Sequence, residues 1–464
     1  MPVLCAYALP HPPLAVPAVG NGRENEIRET LSAFELAAEE IAGLSPETIV
    51  FITPHGTTYS DYFHISPGNR AKGDLSGFNA REVAFEVEYD ADLAGEITRL
   101  AGKSGIAAGG QGEKKPELDH GVTVPLYFIN RRFKNYKLVR ISQSGMDPAE
   151  HYRLGRIIAE AAENLRRKTV LIASGDLSHK LSADGPYGFA REGAEFDGAV
   201  RQALADGDFP ALFNIPDNLR ECAAECGYNS YMVLAGCFDR HKTESRLLSY
   251  EAPFGVGYAA AKFSRGEPDS TRDFLEQYTQ ANLKDARRRA DLEDGYRSLA
   301  RKSLEFTVKT GDILPLPPGL PAELTENKAG VFVSIHKNGR LRGCVGTISP
   351  ATGSIALEII RNAVSAGLRD NRFEPVSARD LPALVYKVDV LSAPEPIAGP
   401  EELDVKRYGV IVSSGNRRGL LLPNLDGVDT VDAQIDIAKR KAGIAETTPS
   451  ESIKLERFEV VRYE

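Results

Sequence analysis

The sequence predicts an α/β protein with a mostly parallel sheet in its first half and a smaller α+β unit in its second half. Short apolar runs alternate with amphipathic, helix-like segments up to about residue 264. These runs are apolar along nearly their whole length, which is typical of parallel strands that helices cover on both faces. Beyond about residue 295, β-hairpin patterns separated by helices follow instead. A length of 464 residues suits two or three domains.

The first half contains strands and helices in regular alternation. The predicted strands are Val3–Leu9, Thr48–Thr53, Lys137–Ser142, Thr169–Ala173, Arg246–Tyr250 and Val256–Phe263. The predicted helices lie near Glu26–Ala42, Ala91–Gly102, Pro148–Arg167, Arg191–Ala205 and Tyr228–Cys237. Pro148 suits a first helical turn, where the missing N–H costs nothing. The Gly-rich segment Gly105–Lys115 predicts a loop that extends to His120 and covers the sheet edge.

A polar linker and a charged helix separate the two predicted domains. Residues 265–290 include most of the run SRGEPDSTRD, which begins at Ser264, and part of the mixed-charge run LKDARRRADLEDG. The domains are therefore residues 1–264 and 291–464. In the second, Val331–His336 and Leu341–Ile348 flank Asn338-Gly339, a dipeptide that favours a type I′ hairpin turn. Its other predicted elements are Tyr296–Val308, Ser354–Leu368, Leu384–Leu391, a hairpin around Ser414–Arg418, Thr430–Ala442 and Lys454–Arg462.

The composition excludes several classes of partner. The net charge of −9 argues against nucleic acid and anionic membranes, which both reward clustered Lys and Arg. No apolar run approaches the roughly 20 residues that span a bilayer, and the N-terminus does not resemble a signal peptide. The five scattered cysteines predict a cytoplasmic protein with reduced thiols. Cys222 and Cys226 have a spacing that could suit zinc, but no second ligand pair follows, which favours buried thiols.

Chemically active side chains follow four of the predicted strands. His11, His55, His179 and Glu251 each come just after an apolar run, and the chain has only eight histidines. Ligands of open α/β sheets collect at the carboxyl ends of the strands, so these residues predict one site. His11, His55 and Glu251 would form the two-histidine, one-carboxylate set of a non-haem Fe(II) centre. Two alternatives remain open: Glu251 caps a loop, or the centre is a metal-dependent hydrolase that activates water.

The remaining histidines divide into two groups. His120 and His179 are candidates for proton transfer, because the histidine pKa lies near neutral pH. An Fe(II) centre with open positions could take O2 and a catechol-like diol, whose hydroxyl protons need such a base. His64, His151 and His241 lie in polar contexts, which predicts surface positions.

Five short motifs resemble one family in their order along residues 1–263. They are Pro10-His11-Pro12-Pro13, Thr53-Pro54-His55-Gly56, Asp119-His120-Gly121, Gly175-Asp176-Leu177-Ser178-His179 and Tyr250-Glu251. This series resembles the class III (LigB-type) extradiol dioxygenases. The resemblance implies that His11, His55 and Glu251 bind Fe(II) and that His120 and His179 act on the substrate. It also implies a catechol- or aminophenol-like substrate, O2 as co-substrate and possible association into a homo-oligomer. The Memo proteins share this fold but lack the late carboxylate, so Glu251 favours an iron site.

The second domain resembles a different family over residues 291–464. The runs LRGCVGT from Leu341, Asn371-Arg372-Phe373 and RRGLLLP from Arg417 are similar to an AMMECR-type domain. Arg342, Cys344 and Arg418 form a candidate site there, in which arginines would stabilise a thiolate. The alternative is a buried strand cysteine in a glycine-rich hairpin.

The combination of the two domains is similar to the AmmeMemoRadiSam system. This resemblance implies a radical-SAM protein as a possible partner. The alternative function is then a metal-binding scaffold, either redox-active or without catalysis, that works with this partner.

Overall fold

The computed structural model describes residues 3–337, 340–378, 380–425, 427–445 and 452–464. The chain divides into two compact units, Met1–Thr279 and Gln280–Glu464. The predicted turn residues Asn338 and Gly339 lie outside the described part of the chain. Among the described residues, no helix has the length and apolar character required to cross a membrane.

The first unit contains the predicted alternation of strands and helices. Its strands are β1 (Val3–Leu9), β2 (Thr48–Thr53), β3 (Phe63–His64), β4 (Arg70–Leu75), β5 (Ala80–Glu88), β6 (Ala108–Gly109), β7 (Lys137–Ser142), β8 (Thr169–Ser174), β9 (His241–Glu251) and β10 (Tyr258–Pro268). Its helices are α1 (Pro17–Gly20), α2 (Arg28–Leu44), α3 (Ala91–Lys103), α4 (His120–Ile129), α5 (Pro148–Asn164), α6 (Arg191–Asp206), α7 (Phe209–Phe213), α8 (Asp217–Ala223) and α9 (Tyr228–Cys237). Helix α10 (Phe274–Asp291) contains the division between the units.

The main sheet of the first unit has the strand order β7-β2-β8-β1-β10-β9. The first four strands are parallel, and β10 and β9 pair antiparallel at the other side. This arrangement confirms the predicted α/β fold with a mostly parallel sheet. The closing pair is antiparallel because only a short turn joins β9 to β10, which leaves no room for a crossover helix.

Helices cover both faces of this sheet and bury alternate residues of each strand. Val50 and Ile52 pack into the core with α3, α5 and α9, whereas Ile49 and Phe51 pack into the core with α2 and α4. All four side chains are fully buried. Replacing one such side chain with alanine costs about 2–5 kcal/mol in a packed core. The sheet is therefore a rigid base for the loops at its edge.

Three histidines lie in places that the sequence did not predict. His120 is the first residue of helix α4 and not part of a loop. His64 and His151 are buried and not on the surface. His151 is buried because its helix α5 packs against α9. Its ring forms hydrogen bonds with main-chain atoms just before and at the start of this helix, Ser144 N at 3.2 Å and Asp147 O at 3.2 Å.

The second unit is an α+β fold with two antiparallel sheets. Its strands are β11 (Gly330–Lys337), β12 (Arg340–Gly346), β13 (Leu384–Leu391), β14 (Glu395–Ile397), β15 (Gly409–Ser414), β16 (Arg417–Leu421), β17 (Lys454–Phe458) and β18 (Val460–Tyr463). Its helices are α11 (Gly295–Thr310), α12 (Ala322–Glu326), α13 (Ile355–Leu368) and α14 (Val431–Ala442). The sheet orders are β12-β11-β13-β18 and β14-β17-β15-β16. Helices α11 and α13 pack on the first sheet, and α14 packs on the second.

Candidate metal centre

The carboxyl ends of three adjacent parallel strands bring the candidate residues together. His11 follows β1, His55 follows β2, and β8 ends at Ser174, next to the loop that carries Asp176 and His179. Strand β8 lies between β1 and β2 in the sheet. The chain must turn away at the end of each strand, so side chains just beyond these ends converge above the same edge.

The two predicted histidine ligands face each other. His11 Nε2 lies 3.0 Å from His55 Nε2. The other nitrogen of His11, Nδ1, lies 2.9 Å from Ser174 Oγ, whose hydroxyl donates to the Gly121 carbonyl at 2.6 Å. Because that hydroxyl has given its only proton to Gly121, it must accept a hydrogen bond from His11 Nδ1–H. His11 Nε2 is then unprotonated, with its lone pair directed toward His55.

Cys226 supplies a third potential ligand atom. Its Sγ lies 3.6 Å from His11 Nε2 and 3.9 Å from His179 Nε2, and it accepts a hydrogen bond from the Asp176 amide at 3.3 Å. One ligand atom each from His11, His55 and Cys226 falls within 4.8 Å of the others. Burial raises the pKa of the Cys226 thiol well above its usual value. A bound cation would reverse this effect, since a thiol that coordinates a metal loses its proton.

The charge balance of this cluster suits a transition metal. Burial lowers the pKa of His11 well below its usual value, and burial together with the neighbouring His11 lowers the pKa of His55 to about 2. Both rings are therefore neutral at physiological pH and offer lone pairs. Two imidazoles and one sulphur are donors that iron, copper and zinc all accept, whereas magnesium and calcium prefer oxygen. The residues present fit a mononuclear transition-metal site.

Glu251 lies apart from this cluster, which corrects the ligand set expected from the sequence. Its Oε2 accepts hydrogen bonds from Thr30 N and Thr30 Oγ1, each at 2.7 Å. Thr30 belongs to the first turn of α2, where main-chain N–H groups have no partner within the helix. Strand β9 is the outermost strand, two positions from β1, and two inter-strand spacings amount to about 10 Å. Glu251 reaches the correct edge of the sheet but caps a helix there.

The two histidines predicted to handle protons border the cluster. The ring of His120 stacks on that of His55, with centroids 4.1 Å apart, and it also has edge contacts with the rings of His11 at 5.2 Å and Phe78 at 5.4 Å. The ring of His179 stacks on that of Tyr187 at 4.9 Å. Burial lowers the pKa of both histidines, and nearby carboxylates partly oppose this effect. Both rings are therefore uncharged at neutral pH, and each has a lone pair that can accept a proton from a substrate.

The carboxylates of Asp176 and Asp119 hold the segments that carry His11 and His120 in position. Asp176 Oδ1 accepts the main-chain N–H of His11 at 2.8 Å, and its Oδ2 lies 3.9 Å from His11 Nε2. Burial raises the pKa of Asp176 to about 6. Asp119 Oδ1 accepts the Thr53 hydroxyl at 2.6 Å and so fixes the residue before His120 to the end of β2.

A buried arginine holds the segment that leads to His120. Arg140 on β7 is fully buried and donates through Nη2 to the Lys115 carbonyl at 2.7 Å. Its guanidinium also lies 3.4 Å from Glu113 and 3.8 Å from Asp119. A guanidinium remains charged even when buried, so these contacts fix residues 113–119 electrostatically. Sequence patterning did not identify Arg140, because a single cation in an apolar strand gives no distinctive signal.

The prediction that Cys222 and Cys226 are both buried thiols is wrong, since Cys222 is exposed and Cys226 is half-buried. The sequence does not single out Cys226 as a ligand, because it precedes a helix and does not follow a strand. A Cβ on Gly175 would lie 2.0 Å from Gly227 Cα, so the two glycines permit close contact between the loop after β8 and the start of α9. This contact brings Cys226 against Asp176. Gly175 is next to Asp176 and Gly227 is next to Cys226, and these glycines are the only sequence signal for the contact. A single sequence does not show which of its glycines pack against each other.

The residues predicted for a site in the second unit lie on two different sheets, with Arg342 and Cys344 on β12 and Arg418 on β16. The Cys344 thiol is half-buried and lies 3.1 Å from Ser334 Oγ. Arg418 is on β16 of the other sheet, where it pairs with Glu456 at 2.9 Å. Arg372, not Arg418, contacts residue 344, through the main-chain carbonyl at 3.2 Å. Among the described residues, no hydrogen bond or ion pair joins Arg418 to Cys344, and their grouping into one site stays a prediction.

Comparison with known proteins identifies relatives of both halves. The family model described as the catalytic LigB subunit of aromatic ring-opening dioxygenase matches residues 5–261, and the AMMECR1 model matches residues 297–463. A protein of Clostridium acetobutylicum is 42% identical over 474 residues, which covers 98% of each chain. A Thermotoga maritima protein is 47% identical over 172 residues, 37% of this chain and 98% of its own. A crystal structure of an uncharacterized Pyrococcus horikoshii protein is 32% identical, with a TM-score of 0.34, and covers 36% of this chain and 88% of its own.

Proposed function

Because the chain belongs to the family of the LigB catalytic subunit of aromatic ring-opening dioxygenases, we propose that its first unit is a metal-dependent oxidoreductase. In this proposal His11, His55 and Cys226 hold one ferrous ion. The observation that carries the proposal is the convergence of these three side chains within 4.8 Å at the sheet edge. The AMMECR1 domain follows this catalytic unit in the same chain.

Replacing the expected carboxylate with Cys226 preserves the charge of the centre. Two neutral imidazoles and one thiolate leave a ferrous ion with a net charge of about +1, as two imidazoles and a carboxylate would. Such an ion, when bound, supplies open positions for O2 and for both oxygens of a diol. A thiolate is the softer donor, so the proposed centre differs from a carboxylate site in its metal preference.

The residues around the cluster support a catechol- or aminophenol-like substrate. His120 and His179 are neutral bases on two sides of the cluster, positioned to accept the hydroxyl protons of the substrate. Phe78 and Tyr187 pack against these two histidines, and the Tyr187 side chain is 58% exposed. Aromatic rings favour offset or edge contacts with other rings, which suits a planar substrate.

Oxygen consumption tests the proposed reaction. The protein is loaded with Fe(II) under anaerobic conditions, mixed with a panel of catechols and aminophenols, and then exposed to O2. We expect oxygen uptake and a coloured ring-opened product with at least one member. Cys226→Ser and His55→Ala should abolish uptake, whereas Cys222→Ser, an exposed thiol four residues away, should retain it. A fully loaded protein that consumes no oxygen with any member would disprove the proposal.

A second candidate function follows from the thiol ligand. Cys226 also suits copper or zinc, so the first unit could be a metal-binding scaffold that works with a radical-SAM partner. This alternative predicts tight copper or zinc binding that depends on Cys226, without any oxygen uptake. It also predicts a stable complex with a purified radical-SAM protein from the same cell. Tight binding of iron alone, without such a complex, would contradict it.

A further inference from the structure

A buried carboxylate in the first unit lies against the loop that carries His179. Asp197 is on α6, and only 2% of its surface is exposed. Its Oδ1 accepts the main-chain N–H of Ser178 at 2.7 Å, and its Oδ2 accepts the Tyr250 hydroxyl at 2.7 Å. Both partners are uncharged, and among the described residues no Lys, Arg or His side chain forms an ion pair with this carboxylate.

The burial of Asp197 is not explained by stability alone. A buried carboxylate is unfavourable unless hydrogen bonds replace its hydration. Burial raises the pKa of Asp197 to about 6, and the hydrogen bonds from Ser178 and Tyr250 partly oppose this effect. The neighbouring guanidinium of Arg201 lies over the Tyr250 ring, 4.9 Å from its centroid. Since an apolar side chain of similar volume would avoid the cost of desolvation, the carboxylate has another role.

Two glycines leave room for the carboxylate and for the loop. A Cβ on Gly257 would lie 2.0 Å from Asp197 Oδ2, and a Cβ on Gly193 would lie 2.5 Å from Ser178 Oγ. The residue before β10 and a residue in the first turn of α6 therefore approach the bond between Asp197 and Ser178 closely. This close packing leaves the Ser178 N–H no access to water.

The Ser178 N–H depends on a side chain from a separate helix for its hydrogen bond. The N–H of His179 bonds to the Ala223 carbonyl at 3.0 Å, and the Ser178 hydroxyl donates to the same carbonyl at 3.0 Å. Ser178 is fully buried, so without Asp197 its N–H would have no acceptor. An unpaired buried N–H is costly, and the loop would move to find another acceptor. Any such movement shifts the next residue, His179.

The His179 ring has few contacts that would hold it in place by themselves. It stacks on the ring of Tyr187 at 4.9 Å, and Tyr187 is 58% exposed. Its Nε2 lies 3.9 Å from Cys226 Sγ, which is a long contact. The place of the ring over the sheet edge therefore depends on the position of its own main chain.

We infer that Asp197 is a positioning residue for His179, which it holds through the main-chain N–H of Ser178. The inference rests on the proposed function, in which His179 accepts a proton from the substrate. Asp197 acts through the loop and does not itself touch the substrate. A displaced base transfers protons more slowly, whereas binding of a diol at the metal is unaffected.

Histidine NMR signals of the full-length, metal-free protein test the inference without turnover. The ¹H–¹³C correlations of the histidine Cε1 atoms are recorded at one fixed pH, and His179→Gln identifies the signal of His179. We expect Asp197→Leu to displace this signal and to leave those of His64 and His151 in place. Asp197→Asn should keep the parent signal, because its amide oxygen still accepts the Ser178 N–H.

Two further variants separate positioning from a general loss of stability. Asp197→Ala removes the acceptor without adding bulk, so it should displace the His179 signal even if Asp197→Leu does not fold. Glu358→Met is the matched control, because buried Glu358 also accepts one hydroxyl and one main-chain N–H, from Thr347 at 2.7 Å and Ala351 at 2.6 Å. It should lower the urea unfolding midpoint and leave the His179 signal unchanged.

Kinetics provide a second measurement with any catechol that the parent protein turns over. Asp197→Leu should lower kcat about tenfold or more and change KM less than twofold, and Asp197→Asn should restore kcat. An increase in KM alone would contradict a role through His179.

The NMR and kinetic results fail in distinguishable ways. A His179 signal that neither Asp197→Leu nor Asp197→Ala displaces would overturn the inference, and so would an equal displacement in Asp197→Asn. A parent protein that consumes no oxygen would disprove the proposed function instead. The His179 signal would still decide whether Asp197 positions this residue.

Discussion

Substituting Glu251 distinguishes its role as a helix cap from its expected role as a metal ligand. Glu251→Gln keeps the size of the side chain and removes its charge. Its Oε2 accepts two hydrogen bonds from Thr30 at the start of α2. Hydrogen bonds to a charged group contribute about 1.5–3 kcal/mol each, and the helix dipole adds about 0.3–1 kcal/mol. Since the amide oxygen of Gln retains weaker versions of both bonds, we expect a loss of about 1–3 kcal/mol in the free energy of unfolding.

The same variant should keep its metal. Metal content after anaerobic loading and urea unfolding curves are measured for Glu251→Gln, Cys226→Ser and the parent protein. We expect Glu251→Gln to bind one metal ion per chain with reduced stability, and Cys226→Ser to lose the metal with its secondary structure intact. The opposite result, a folded Glu251→Gln protein without metal and a fully loaded Cys226→Ser protein, would refute the assignment of Cys226 and restore the carboxylate.

Three further predictions concern the support of the site. Gly175→Ala should displace Gly227 and so reduce both metal binding and stability. Gly198→Ala, in open space on α6, should instead stabilise the protein by about 0.5–1 kcal/mol. Equal urea unfolding midpoints for the two variants would contradict the role given to the Gly175–Gly227 contact. Arg140→Met, which leaves the largely buried carboxylates of Glu113 and Asp119 without their cation, should cost about 3–5 kcal/mol in urea unfolding. A loss below about 1 kcal/mol would exclude the role given to Arg140. Burial lowers the pKa of His151 to about 4, so only the unfolded chain gains this proton between pH 6.5 and 4. The free energy of unfolding should therefore fall as the pH drops through that window. His151→Gln should remove about 3 kcal/mol of this pH dependence, measured by urea unfolding at each pH. A variant whose free energy of unfolding changes with pH as steeply as that of the parent would contradict the prediction.

Local patterns predicted the fold well where burial determines the residue type. Thr48–Thr53 and Leu384–Leu391 form strands with the predicted bounds, because both are continuous or alternating apolar runs. The parallel sheet follows from the same runs, since each needs helices on two faces. His11 and His55 could be placed at one edge because the ends of neighbouring parallel strands meet there.

Contacts between segments that are distant in the sequence explain the predictions that failed. The strand order places β9 two positions from β1, and this order is not encoded in the composition of either strand. Glu251 was therefore assigned to the correct edge but to the wrong partner. Cys226 reaches the site through a contact between two glycines that lie about 50 residues apart in the sequence, Gly175 and Gly227. His151 appears polar in its local sequence but is buried by a helix pair that forms only in the tertiary structure.

The Ser174 hydroxyl connects the first turn of α4 to the ring of His11. Its one proton goes to the carbonyl of Gly121, the second residue of α4, while its oxygen fixes the tautomer of His11. The first turn of α4 also carries His120, whose ring stacks on that of His55. A displacement of that turn would break the bond from Ser174 to Gly121 and free the hydroxyl to rotate, and the His11 ring would then lose its fixed orientation. If His11 binds the metal as proposed, a substitution in the first turn of α4 should therefore alter metal affinity as well as the position of His120.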